Sequence, residues 1–67
     1  MEFRDKVIHI RVKLNLSQKQ LARELGVAFV TLNRWENGHA MPTKKTLLRI
    51  EDYCTTKNIS FDEVKNV

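Results

Sequence analysis

Residues 16–38 read LSQKQLARELGVAFVTLNRWENG, and their spacing decides the fold. Ser17 and Gln20 form S-x-x-Q, a capping box in which each side chain satisfies the other residue's backbone N–H. A short helix therefore runs from Gln18 to Leu25 and buries Leu21, Ala22 and Leu25. Gly26 ends it, because glycine enters the left-handed backbone region without steric cost. A second short helix is expected over residues 28–36, with Val27, Leu32 and Trp35 inward, and Asn37-Gly38 stops it.

Working outward, Phe3, Val7, Ile10 and Leu14 recur at helical spacing and predict an amphipathic helix over residues 2–14. Beyond the stretch, Pro42 and the N-cap Thr43 precede a helix reaching about residue 57, with Leu47, Ile50 and Cys54 inward. Ser60 and Glu63 make another capping box, after which Phe61 and Val64 are placed to dock a last helical turn. No segment alternates as a strand does. The expected fold is all-α, a compact five-helix bundle forming one domain over residues 1–67.

The chain has 67 residues, enough for one small domain with a thin core. Its net charge of +4 is uneven: +6 over residues 1–49 and −2 over residues 50–67. That balance suits a polyanionic partner without demanding one. Cys54 is a lone cysteine, so an internal disulfide is excluded, and no Cys/His set has zinc spacing. No apolar run approaches the ~20 residues needed to span a bilayer. The start MEFRDKVIHI mixes charge into its apolar residues, unlike a signal peptide. These features predict a cytoplasmic module. An enzyme is not expected: no nucleophile has a base and orienting partner, and there is no glycine-rich phosphate loop. No cofactor, metal, membrane or small-molecule site is expected either.

Two short helices joined by a tight turn containing glycine constitute a helix-turn-helix unit. Ala22, small at the helix crossing, and Gly26, at the turn, are what that unit requires together. With Gln18, Leu25, Trp35 and the RWENG ending (residues 34–38), the stretch resembles the phage repressor and Cro-like helix-turn-helix family, the xenobiotic-response-element class. The similarity reaches back through the first helix and forward to Leu48, about three quarters of the chain. It implies a lambda-repressor-like domain with its motif at residues 17–37. It also implies a bacterial or phage transcriptional regulator, a repressor, that binds double-stranded DNA sequence-specifically in the nucleoid.

By the same resemblance the helix over residues 28–36 enters the major groove. The base-reading positions are then Phe29, Val30, Asn33 and Arg34, with Gln18 gripping a phosphate or bracing a reader. Phe29 and Val30 can pack on a thymine methyl, and Arg34 can fork onto guanine. Asn33 can read adenine or hold a phosphate. Ser17, Asn37, His39, Thr43, Lys44 and Lys45 match backbone-contacting positions. Lys44 and Lys45 stand in a first turn, where the helix dipole disfavours cations unless a phosphate is near. Arg11 and Glu36 match a structural ion pair. A homodimer on DNA is the assembly implied; in the chain itself no heptad seam is present, and the candidate interface is the tail around Ile59, Phe61, Val64 and Val67.

Three departures stand out. Ala28 replaces the usual Ser or Thr cap, Phe29 and Val30 replace frequent polar residues, and residues 55–58 lengthen the fourth helix by about one turn. Among the remaining side chains, Trp35 is expected in the core, Met41 as a loop anchor, His9 on the surface, His39 in a loop and Cys54 as a small hydrophobe. The competing functions are an antitoxin or protein-interaction module, and the DNA-targeting part of a longer protein.

Overall fold

The computed structural model describes residues 1–61. Four helices follow in order: α1 (Phe3–Leu14), α2 (Gln18–Leu25), α3 (Phe29–Glu36) and α4 (Lys44–Thr56). The all-helical architecture expected from the sequence is present. Four helices are described rather than five: the expected last turn, capped by Ser60 and Glu63, falls mostly on residues 62–67, outside the described residues.

Local chemistry places each helix end. The Ser17 hydroxyl accepts from Gln20 N–H at 3.1 Å, and Ser17 N–H donates to Gln20 Oε1 at 2.8 Å. That reciprocal box starts α2 at Gln18, as the spacing requires. Thr43 Oγ1 caps α4 by accepting from Thr46 N–H at 3.2 Å. The third helix begins one residue later than expected: Ala28 is its N-cap and offers no side-chain bond. α4 ends at Thr56, and Asn58 turns left-handed before the chain re-enters the core at Ile59.

The core is assembled from all four helices: Val7 and Ile10; Leu21, Ala22 and Leu25; Leu32 and Trp35; Ile50 and Cys54, closed by Ile59. The Phe3 ring meets Trp35 edge-on at 5.4 Å. Trp35 is thus a core residue, and so is Cys54. Burial pushes the Cys54 thiol above its ordinary range, in keeping with its packing as a small hydrophobe. Four residues differ from expectation. His9 is half-buried rather than on the surface, its ring 5.2 Å from that of Phe61. Met41 is 74% exposed rather than a loop anchor. Val27 and Leu47 are half-buried rather than fully inward.

Gly26 joins α2 to the α3 turn at φ +72°, and a Cβ there would lie 2.6 Å from Arg49 Nη2. That guanidinium donates to the Leu25 carbonyl at 2.9 Å, satisfying a carbonyl at the end of α2. Gly26→Ala therefore imposes a left-handed alanine and displaces this cap, with an expected loss of about 1–3 kcal/mol. Urea unfolding checks it, and Arg49→Ala isolates the part due to the cap.

On the same side, Tyr53 Oη donates to Glu24 Oε1 at 3.0 Å. Burial, reinforced by that bond, pushes the phenol from 10.0 up to about 12. The folded state thus holds the phenolic proton more tightly than the unfolded one. Its contribution is complete below pH 10 and is lost as pH rises through about 12. Thermal melting across this window should fall more steeply for the wild type than for Tyr53→Phe.

Candidate nucleic-acid interface

α3 carries two opposed faces. Leu32, Trp35 and Glu36 point inward, whereas Phe29, Val30, Arg34 and Asn37 are exposed and Asn33 is half-buried between them. Residues 29, 30, 33, 34 and 37 make one stripe at helical spacing. The hydrophobic groups of Phe29 and Val30 are on the outside, where core packing does not require them.

Behind this stripe runs a polar relay. Glu36 is the buried charged residue of the described chain. It stands at the C-terminal end of α3, where the helix dipole opposes a negative charge. Arg11 compensates with a forked contact, Nε to Oε2 at 2.8 Å and Nη2 to Oε1 at 3.1 Å. This bond pushes the Arg11 guanidinium still higher than its ordinary value, so it remains charged at any working pH. Arg11 Nη1 also donates to the Leu16 carbonyl at 3.5 Å, which ties the turn after α1 to α3.

Gln18 extends the relay. Its Nε2 donates to Glu36 Oε1 at 3.0 Å, and its Oε1 accepts from Asn33 Nδ2 at 3.2 Å. Asn33 Oδ1 in turn accepts from Asn37 Nδ2 at 3.1 Å. Both amide poles of Gln18 and of Asn33 are therefore engaged within the protein. One N–H of each amide is left over, since an amide nitrogen carries two. The arrangement fixes which way each amide faces.

The other candidate residues fall into two groups. Arg34 Nη2 donates to the His39 carbonyl at 3.4 Å, which lays the guanidinium along the turn after α3. Arg34 and Thr43 line one groove of about 390 Å³ between the start of α3 and the start of α4, together with Ala28, Thr31 and Pro42. Lys44 and Lys45 are exposed in the first turn of α4, which contains no acidic residue. The hydroxyls of Ser17 and Thr43 both serve as helix caps.

Two residues escaped the sequence analysis. Thr31 is half-buried and brings a hydroxyl to the α3–α4 groove. Arg4 lies beside the turn after α3, its Cδ within 3.4 Å of where a Gly38 Cβ would be. Its position seven residues before Arg11, two helical turns away on one face, was the available signal. The expected tail interface has a different role in part: Ile59 is buried and Phe61 packs on His9 with Lys6 Nζ 5.5 Å above its ring. Val64 and Val67 lie outside the described residues.

Two helices crossing at a small residue, a left-handed glycine between them and a second helix with an outward polar and apolar stripe define a helix-turn-helix domain. The chain belongs to the Cro/C1-type helix-turn-helix family, whose model matches residues 8–62. The cryptic phage CTXphi transcriptional repressor RstR of Vibrio cholerae is 30% identical over 64 residues, 96% of this chain and 54% of that protein. The HTH-type transcriptional activator BcrR of Enterococcus faecalis is 33% identical over 64 residues, 96% of this chain and 30% of that protein. The chain thus spans about half the length of the first and under a third of the second. No solved structure matches it. No described helix is long and apolar enough to cross a membrane.

Proposed function

We propose that this protein is a transcriptional regulator, acting as a repressor, that binds double-stranded DNA with α3 in the major groove. The exposed stripe on α3 carries the proposal, because it combines a forked cation (Arg34) with two apolar residues (Phe29 and Val30) on a helix anchored from behind by Arg11 and Glu36. Arg34 reads guanine and Phe29 with Val30 reads a pyrimidine methyl. Lys44 and Lys45, with the spare N–H of Gln18, Asn37 and the backbone near His39 and Thr43, hold phosphates. Asn33 is assigned to bracing Gln18 and Asn37 rather than to a base, since both its amide poles are engaged. Binding as a homodimer to half-sites about one DNA turn apart completes the proposal.

Fluorescence anisotropy on labelled duplex DNA at graded salt tests the phosphate assignment. Each cation that neutralises a phosphate steepens the log–log salt slope by about 0.9. The double variant Lys44→Ala/Lys45→Ala should therefore flatten the slope by roughly 1.8. An unchanged slope removes both lysines from the interface.

Both relatives extend well beyond the matched stretch, which favours a second reading: the DNA-reading unit of a longer regulator. The mass of the naturally expressed protein separates the two.

A further inference from the structure

The leading end of α3 presents an unusual surface for meeting base pairs. Ala28, Phe29 and Val30 are consecutive and exposed, with Phe29 at 46% and Val30 at 61%. None of the three side chains carries a hydrogen-bond donor or acceptor. The Ala28 position forms no side-chain cap, so no capping hydroxyl precedes Phe29. Arg34 shares a groove with Ala28 and Thr43, and the exposed Lys44 and Lys45 follow Thr43 in the chain, so the charge near this end favours DNA over an apolar partner.

In the major groove, bases differ by donors and acceptors and by one apolar feature, the C5-methyl group of thymine. A hydrocarbon side chain cannot distinguish the O4 acceptor of thymine from the N4 donor of cytosine. It responds to the methyl. Resting on the assignment of α3 as the recognition helix, we propose that Phe29 and Val30 read the C5-methyl group itself, whichever pyrimidine carries it. Cytosine methylation at that position then strengthens binding, so the protein is responsive to C5-methylated DNA. Thymine and 5-methylcytosine supply the same methyl group, and the two are separable by experiment.

The test uses the 67-residue chain and a duplex chosen by selection from random DNA. At each pyrimidine position of the preferred site two pairs are compared: thymine with deoxyuridine opposite adenine, and 5-methylcytosine with cytosine opposite guanine. Each comparison removes one methyl and keeps the partner base. At the position facing Phe29 and Val30, either loss should weaken binding about four-fold, equivalent to about 0.8 kcal/mol for one buried methyl. The variant Phe29→Ala/Val30→Ala, checked for folding by circular dichroism, should bring both ratios close to one. Deoxyuridine binding as tightly as thymine at every position overturns the proposal. So does 5-methylcytosine binding no better than cytosine, or methyl sensitivity that survives in the double variant. If selection yields no preferred site, the recognition-helix assignment itself fails, and this proposal with it.

Discussion

Glu36→Ala is expected to lower the stability of the fold by about 3–5 kcal/mol, the range for breaking a buried ion pair from one side. The Glu36 side chain is 5% exposed and its partner Arg11 28% exposed. Removing the carboxylate strands a half-buried guanidinium and leaves Gln18 Nε2 without its acceptor. It also releases the tie between α1 and α3, because Arg11 bonds both Glu36 and the Leu16 carbonyl. Small domains hold only about 5–15 kcal/mol in total, so this loss is a large share. Denaturant unfolding followed by circular dichroism measures it. The double change Arg11→Met/Glu36→Leu should recover much of the loss, because it removes both charges and restores apolar contact. A single-variant cost below about 1 kcal/mol would show that the relay does not hold α3 in place.

Arg34→Ala is expected to cost about 1–3 kcal/mol of base discrimination, roughly 5- to 150-fold, at one G·C pair of the preferred site. The side chain is exposed and bonds only weakly to the His39 carbonyl at 3.4 Å, so stability should change little. Competition binding against a site altered at that guanine separates specificity from general affinity. Wild type should lose the full factor on the altered site, and Arg34→Ala should bind both sites alike. Asn33→Ala makes the contrasting case. It frees Gln18 Oε1 and Asn37 Nδ2 and should weaken binding to every sequence evenly, without relaxing preference at any one position. If Arg34→Ala keeps its guanine preference, the base is read by another residue.

The helix ends were legible where side chains make them. Ser17 with Gln20 and Thr43 with Thr46 are local chemistry, and local chemistry is written in spacing. The start of α3 was legible only through the family resemblance, which placed Ala28 at the cap, because alanine there leaves no local mark. Burial of Leu32 and Trp35 followed from periodicity, and the outward placement of Phe29 and Val30 followed from the family resemblance. The amide chain from Glu36 through Gln18 and Asn33 to Asn37 was not legible. It depends on how closely α2 and α3 cross, which no single-helix period reports. The same holds for His9 against Phe61, a contact made only when the chain returns past α1. The family resemblance supplied Arg11 and Glu36 as a pair, and the structure shows why the pair matters: it turns a charge disfavoured by the α3 dipole into an anchor.

Selection of binding sites from random duplex DNA tests recognition by α3 most directly. The bound pool should converge on a short motif with a guanine that Arg34 reads and an adjacent methyl-bearing pyrimidine. The motif should repeat with two-fold symmetry about one DNA turn apart. A pool that stays random after repeated rounds, with the protein folded, would contradict sequence-specific DNA binding by this chain.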